Sequence, residues 1–152
     1  MWLIVPAQTT DIDQIYAIEK ECFSTPWSKE SFYEELKHSY SSFWVAKDKQ
    51  TQTVLGFICF WVLWDEMHIL NFAVKKAFQG QGIGSRLLEK VLSYARQRGL
   101  KWVGLEVRAS NHRAINFYHK FGFKKIGRRP RYYHDTGEDA ILMELKLKNK
   151  AK

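Results

Sequence analysis

The first third of the chain combines one short apolar run with two stretches of helical spacing. Residues 2 to 5 are apolar and predict a strand that Pro6 ends. Thr10 and Asp13 predict a capping box at the start of a helix. Apolar and long side chains then recur at helical spacing at Ile12, Ile15, Tyr16 and Glu19. After a turn at residues 24 to 28, Ser28 is a candidate cap for a second helix that carries Phe32 and Leu36 on one side.

The middle of the chain changes from strand patterns to a helix. Residues 42 to 47 and 54 to 64 are strand-like and are separated by a polar stretch, which predicts an antiparallel hairpin. A turn at 64 to 66 leads to another strand at 67 to 74. A glycine-rich loop and a helix ending at Gly99 follow. The helical spacing is carried by Leu87, Leu88, Val91, Leu92 and Ala95.

The last third predicts a strand, a helix and a closing pair of strands. The strand covers residues 102 to 107, Ser110 or Asn111 can cap the helix, and Gly122 ends it. The buried side of this helix is expected to carry Ala114, Ile115, Tyr118 and Phe121. The predicted order is β-α-α-β-β-β-α-β-α-β-β, which indicates a single α/β (α+β) domain with a mixed sheet.

Composition limits the class of protein. The chain has 152 residues, of which 45% are hydrophobic and 26% charged, as expected for one globular domain. We assign residues 1–147 to that domain and expect the basic residues 148–152 to fray. Two isolated cysteines suggest a reducing compartment, the start lacks a basic leader, and the longest apolar run is too short for a membrane span. These features predict a soluble, cytoplasmic protein without a membrane partner.

The net charge favours anionic partners. Lys plus Arg number 24 and Asp plus Glu 16, which gives a formal charge of +8. The basic residues are spread along the chain without the interleaved aromatic residues of an RNA-binding module. A non-catalytic nucleic-acid binder or coenzyme A sensor therefore ranks below an enzyme, but it stays open as an alternative.

The glycine-rich segment at residues 71 to 86 has the layout of an anion site. A strand, three alternating glycines and a helix start follow one another, so unpaired N–H groups of the first helical turn can face a phosphate. A Walker A loop is excluded because Ser-Arg follows Gly84, and a dinucleotide fingerprint fits poorly because its third glycine position holds Leu87. The remaining pattern, Gln79-x-x-Gly82-x-Gly84, resembles the coenzyme A loop of the GNAT family of N-acetyltransferases.

A second segment, residues 105 to 123, strengthens this resemblance. It is similar to the other GNAT hallmark, a strand leading to Asn and then a helix with Ala-x-x-x-Tyr-x-x-x-Gly-Phe. Residues 26 to 28, 131 to 133 and 137 to 140 further resemble the ribosomal-protein-alanine N-acetyltransferase (RimI) branch, so the likeness covers nearly the whole chain. It implies a GNAT fold, acetyl-CoA as co-substrate and no metal. It also implies that the acceptor is a protein amino terminus, that of a small-subunit ribosomal protein, without any need for direct nucleic-acid binding.

The resemblance also assigns roles by position. It implies that Glu106 is the general base and Tyr118 the general acid. The co-substrate would be held by Phe72, Ala73, Val74, Gly80, Gln81, Gly82, Ile83, Gly84, Ser85 and Asn111. Trp27, Tyr132 and Tyr133 look like the aromatic residues of the acceptor slot. Positions 80 and 81 lack the arginine or lysine that relatives often carry, which predicts a main-chain cradle with less help from side chains.

Plainer interpretations of the same residues remain. Glu106 lies opposite the apolar positions of its strand, where it could pair with Arg108 or a lysine, and Tyr118 could be a core aromatic. The three slot aromatics could anchor loops, the loop after Tyr133 departs from the family, and no histidine has metal-ligand spacing. The same chemistry on a protein lysine or a small amine is the nearest alternative function.

Overall fold

A computed structural model describes residues 1–148, which fold around a seven-stranded mixed sheet. The strands lie in the order β1-β2-β3-β4-β5-β7-β6. They are β1 (Trp2–Pro6), β2 (Ser41–Asp48), β3 (Val54–Leu63), β4 (Glu66–Val74), β5 (Trp102–Arg108), β6 (Lys124–Tyr133) and β7 (Glu138–Lys146). The helices are α1 (Ile12–Cys22), α2 (Lys29–Lys37), α3 (Ile83–Gln97) and α4 (His112–Lys120). Fold class and element order are as predicted, while the expected fraying tail, apart from Lys148, lies outside the described residues.

The two faces of the sheet carry separate cores. On one face α1 and α2 bury Ile12, Ile15, Ile18 and Phe32 against β2 and β3. On the other face α3 packs against the sheet, together with the partly buried side of α4. Its fully buried residues are Leu87, Leu88, Val91, Leu92 and Ala95. Each large apolar side chain buried in this way contributes about 1.5–3 kcal/mol.

The helix starts agree with the sequence in two cases and differ in one. Ser28 Oγ accepts the Ser31 N–H at 3.1 Å at the start of α2. In α1 the predicted Thr10–Asp13 box is wrong. A 3-10 turn, Thr9–Asp11, precedes the helix, and the Gln8 N–H donates to Asp11 Oδ2 at 2.9 Å.

The carboxylate of Asp11 is held at the start of α1 by a residue that is distant in sequence. It is buried and forms an ion pair with Lys47 Nζ of β2 at 2.7 Å. Asp13, in contrast, faces outward and forms an ion pair with Lys29 at 2.8 Å. A buried carboxylate must be paired, and Asp11 satisfies this need through both the turn and the sheet.

The middle of the sheet opens between β4 and β5. These parallel neighbours pair only over Glu66–His68 and Trp102–Gly104 and then separate. Past His68 the edge of β4 that faces β5 therefore has no strand partner within the described part of the chain, although its other edge remains paired with β3 up to Val74. Main-chain groups on a separated edge are free to bind a ligand.

The last strand in the sheet order, β6, is an edge strand with an unusual composition. Within residues 1–148 it pairs with β7 alone. Most of its side chains are exposed, and the strand carries Lys124, Lys125, Arg128, Arg129, Pro130 and Arg131. In the part of the chain that the structure describes, no helix has the length and apolar content needed to cross a bilayer.

Candidate active site

A groove of about 610 Å³ passes through the opening between β4 and β5. Cys22 and Phe23 reach it from the α1 face, and Ala114, Phe117 and Tyr118 reach it from α4 on the other face. The rest of the lining comes from the end of β4, the glycine loop and the start of α4, namely Phe72, Ala73, Val74, Lys76, Phe78, Gln79, Gly80, Gly82, Ile83, Gly84, Ser85, Asn111 and Arg113. The groove thus joins the two motifs that the sequence singled out.

The glycine loop has the geometry of an anion cradle. Gly80 and Gly82 have φ of +82° and +85°, a region that residues with a Cβ rarely adopt. A Cβ at either position would meet nothing within 4 Å, so backbone conformation rather than crowding selects glycine there. No side chain among the described residues caps α3, and the first backbone hydrogen bond closing on the loop runs from Arg86 N to Gly82 O at 3.1 Å. The N–H groups of Ile83, Gly84 and Ser85 therefore remain available to a phosphate.

Two of the expected ligand positions differ in detail. Gln81, which was predicted to contact the co-substrate, is exposed and is not among the residues of 1–148 that line the groove. Val74 lines the groove, but its carbonyl oxygen is already hydrogen-bonded. It accepts Gln79 Nε2 at 3.0 Å and Cys22 Sγ at 3.4 Å. These contacts fix the glycine loop and the end of α1 to the strand.

Basic side chains reach the groove from outside the loop. Lys76 follows β4 directly, and Arg113 lies in the first turn of α4 with its Nη1 3.4 Å from Gln79 Oε1. Sequence reasoning had expected less side-chain help because residues 80 and 81 are not basic. It missed Arg113 because nothing local reveals that the first turns of α3 and α4 face one groove.

Asn111 serves α4 as well as the groove. Its Oδ1 accepts the Ala114 N–H at 3.1 Å, which makes it the cap of the helix and confirms one of the two caps predicted from the sequence. Asn111 is also exposed to the groove, so its amide nitrogen is free to donate to a ligand while the oxygen holds the helix.

Tyr118 packs as a core aromatic but keeps its hydroxyl toward the groove. Its ring lies 5.5 Å from the centroids of both Phe117 and Phe123 and 6.5 Å from that of Phe72. The hydroxyl makes no hydrogen bond to another described residue, and no buried polar side-chain atom of residues 1–148 lacks a partner. The oxygen is therefore accessible from the groove. Burial raises the pKa of Tyr118 above its ordinary value, so the hydroxyl keeps its proton at neutral pH.

Glu106 lies at the point where β4 and β5 separate, but it faces the α1 side of the sheet. Its neighbours Leu105 and Val107 belong to the core beneath α3, so the alternate residues Glu106 and Arg108 project the other way. Among residues 1–148, Glu106 pairs with neither Arg108 nor a lysine. Its Oε1 lies 3.0 Å from His68 Nε2, at the last paired residue of β4.

The electrostatics of Glu106 follow from this contact. The hydrogen bond from His68 lowers the pKa of Glu106, burial opposes the shift, and the charges of His68 and Arg129 assist it. The carboxylate is therefore ionised at neutral pH, with one oxygen held by the imidazole. The sequence did not predict this role of His68. The histidines were considered only as metal ligands, and His68 meets Glu106 across adjacent strands.

The predicted slot aromatics lie outside the groove, on the α1 side. Trp27 packs on Phe32 at 5.2 Å between centroids, and its N–H donates to the buried carboxylate of Glu19 at 3.0 Å. Tyr133 has the Arg108 guanidinium 4.1 Å from its ring centroid, and exposed Tyr132 packs edge-on against it at 5.0 Å. Burial raises the pKa of Tyr133, and the negative charge of Glu106 adds to this increase.

The chain is similar to known proteins in family, sequence and structure. The model of the acetyltransferase (GNAT) family matches residues 12–123. A Bacillus subtilis strain 168 relative is 37% identical over 133 residues, which cover 88% of this chain and 87% of the relative. The ribosomal protein bS18-alanine N-acetyltransferase of Escherichia coli strain K12 is 36% identical over 142 residues, 92% of this chain and 94% of its own.

Similarity of structure extends over the whole chain. The crystal structure of the ribosomal-protein-S18-alanine N-acetyltransferase from Escherichia coli superposes with a TM-score of 0.90 at 33% identity, covering 100% of this chain and 97% of that one. The glycine loop, the open β4 edge and the residues that line the groove lie within the part of the chain that the family model matches. An enzyme is favoured over the non-catalytic binders that the charge had left open.

Proposed function

The chain belongs to the GNAT acetyltransferase family, and from this we propose that it transfers the acetyl group of acetyl-CoA to the α-amino group of a protein. The acceptor we propose is a small-subunit ribosomal protein whose amino-terminal residue is alanine. Its relative in Escherichia coli is named for action on ribosomal protein bS18, and the two chains align over 92% of this one. The observation that carries the proposal is the groove that links the free N–H groups at the start of α3 to Tyr118.

The chain's own residues fit this co-substrate. The N–H groups of Ile83, Gly84 and Ser85 suit the diphosphate, and Arg113 adds a positive charge beside them. The open edge of β4 at Phe72 and Ala73 suits the amides of the pantetheine arm. When bound, acetyl-CoA supplies an activated thioester.

Two side chains are suited to move protons in this reaction. Glu106, acting through a water, accepts the proton of the incoming ammonium group, so that the neutral nitrogen can attack the thioester carbon. Tyr118 keeps its proton at neutral pH and donates it to the sulfur as the carbon–sulfur bond breaks. The attacking nitrogen loses its second proton as the amide forms, and this proton passes through water to the phenolate. The carboxylate then releases its proton to solvent, so the products are the amide, the free thiol of coenzyme A and one proton.

The acceptor class agrees with the strength of this base. An α-amino group has a pKa near 8 and a lysine side chain one near 10.4, so neutralising a lysine near pH 7 costs about 3 to 4 kcal/mol more. A carboxylate whose pKa is lowered is a weak base and therefore suits the more acidic α-ammonium group better. The sequence features of the slot, Trp27 and Tyr133, are consistent with a peptide that approaches on the α1 face.

Mass spectrometry of two synthetic peptides tests the proposal. One peptide begins with a free alanine and contains no lysine, and the other has a blocked terminus and one lysine. We expect acetyl transfer from acetyl-CoA to the first peptide only. An acetyl gain confined to the blocked, lysine-bearing peptide would overturn the proposed acceptor. The Glu106→Gln protein serves as the control for non-enzymatic acetylation.

A further inference from the structure

Arg108, the last residue of β5, lies two residues beyond Glu106 on the same face of the sheet and is the centre of a polar cluster. Only 20% of its side chain is exposed. Its two terminal nitrogens reach both oxygens of Asp135, each at 3.0 Å, which is the bidentate geometry that only arginine provides. Further contacts run to Thr25 at 3.2 Å, Glu138 at 3.4 Å, and Ser24 and Thr136 at 3.5 Å.

These contacts connect two segments that are far apart in sequence. One is the α1–α2 loop, residues 23–28, and the other is the β6–β7 loop, residues 134–137. The loops also touch directly, since Ser24 Oγ donates to Asp135 Oδ2 at 2.7 Å. The Ser24 hydroxyl and the Arg108 guanidinium hold the pKa of Asp135 at about 2, so the cluster stays charged throughout the neutral range.

Both loops lead to aromatic residues of the proposed acceptor slot. Trp27 belongs to the first loop, and Tyr133 immediately precedes the second. The Arg108 guanidinium lies 4.1 Å from the centroid of the Tyr133 ring, which restricts the orientation of that ring. One side chain thereby fixes both walls of the slot relative to Glu106.

The cluster also controls charge beside the path of a cationic acceptor. Asp135 and Glu138 would each attract an ammonium group, in competition with the carboxylate of Glu106. Arg108 is ion-paired to both of them, and Glu138 additionally accepts the Ser110 N–H. Arg108 thereby neutralises two carboxylates that would otherwise compete with Glu106 for the incoming amine.

Because of this placement, we propose that Arg108 is a positioning residue for the acceptor, holding the α1–α2 loop and the β6–β7 loop together as the two walls of the peptide slot. The inference rests on the proposed function, since it assumes a peptide acceptor. It assigns Arg108 no contact with acetyl-CoA, because Arg108 does not line the groove.

The test compares the effect of Arg108→Gln on KM for the peptide with its effect on KM for acetyl-CoA. We expect KM for the alanine-terminated peptide to rise roughly tenfold or more, because a small displacement of the slot misplaces the amine. KM for acetyl-CoA should stay within about twofold, since the groove is separate. Arg108→Lys should fall between, because it keeps the charge but loses the bidentate contact.

A matched control is Arg128→Gln, which breaks an ion pair of similar length, 2.8 Å to Asp139, in the same hairpin, while Arg128 makes no hydrogen bond to either loop among the described residues. It should leave both KM values unchanged. If Arg108→Gln does not fold, as judged by circular dichroism, Asp135→Asn weakens the same contact from the other loop and should reproduce the split. An unchanged peptide KM, or an equal rise in both KM values, would overturn the inference. Failure of the wild-type protein to acetylate the peptide would instead refute the proposed acceptor.

Discussion

His68 Nε2 lies 3.0 Å from Glu106 Oε1, across the last rung before β4 and β5 separate. This contact holds one carboxylate oxygen and leaves the other for water. It lowers the pKa of Glu106, with Arg129 as a weaker contributor. The pair therefore sets both the orientation and the protonation state of the proposed base.

Replacement of His68 should shift the titration of Glu106. In His68→Ala the interaction that lowers the pKa is lost while burial still raises it, so the pKa of Glu106 should increase. As the pH falls, the carboxylate would then take up its proton at a higher pH, and the acid limb of kcat should move upward. His68→Gln retains an N–H donor and should shift it less. Carbon-13 NMR of the Glu106 carboxyl carbon measures this directly, and identical titration curves in all three proteins would contradict it.

Removal of either proton-handling group should lower turnover rather than binding. We expect Glu106→Gln and Tyr118→Phe each to reduce kcat by about 10²- to 10⁴-fold, the range for general acid–base catalysis. Calorimetric Kd for acetyl-CoA should be nearly unchanged. Tyr94→Phe, a partly buried tyrosine packed on Trp44 and Phe60, is the control for loss of a hydroxyl elsewhere. Full activity in both site variants would remove these residues from the mechanism.

Gly82 and Gly99 both have a positive φ, but only Gly82 lies in the glycine loop, so replacing each by alanine separates the effect of backbone strain from the effect on ligand binding. Gly82→Ala forces a Cβ into a left-handed conformation at φ +85°, which should cost about 1–2 kcal/mol of stability and disturb the donors at the start of α3. KM for acetyl-CoA should rise. Gly99→Ala imposes the same strain at φ +70° after α3, remote from the groove. Thermal unfolding should show similar losses for both, and an equal KM for the two variants would exclude a role of the loop in binding.

Arg113 should compensate for the absence of basic residues at positions 80 and 81. We expect Arg113→Ala to raise KM for acetyl-CoA by roughly three- to tenfold, as for an exposed charge-assisted hydrogen bond. Acetyl-pantetheine lacks the phosphates, so its KM should not change. Arg96→Ala, in the last turn of α3, controls for the loss of one positive charge. A similar rise for both thioesters would show that Arg113 acts on the arm instead of the phosphates.

Local patterns were sufficient for the elements but not for the contacts between them. Helical spacing and the caps at Ser28 and Asn111 depend on neighbours within four residues, and these predictions are confirmed. The Thr10 cap failed because Asp11 is drawn to Lys47, 36 residues away along the chain. Gly82 and Tyr118, which the resemblance assigned to the co-substrate and to catalysis, both line the groove, whereas Gln81 is not among its lining residues.

The buried carboxylate of Glu19 is a further case that no local pattern reveals. Periodicity placed it on the inner side of α1, where a charge needs partners. Asn71 Nδ2 of β4 supplies one, at 2.9 Å from Glu19 Oε1, and Trp27 N supplies another. Burial raises the pKa of Glu19, and these two hydrogen bonds oppose the shift. Both partners are distant in sequence or lie in a loop, so only the folded chain identifies them.

The open edge of β6 has a consequence for how copies of the protein meet. An unpaired strand edge is a template on which another chain can add a strand and begin a fibril. Here the edge carries Lys124, Lys125, Arg128, Arg129 and Arg131, and Pro130 lacks the N–H that such pairing needs. Two such edges repel each other, so the chain can expose a ten-residue strand without stacking on itself.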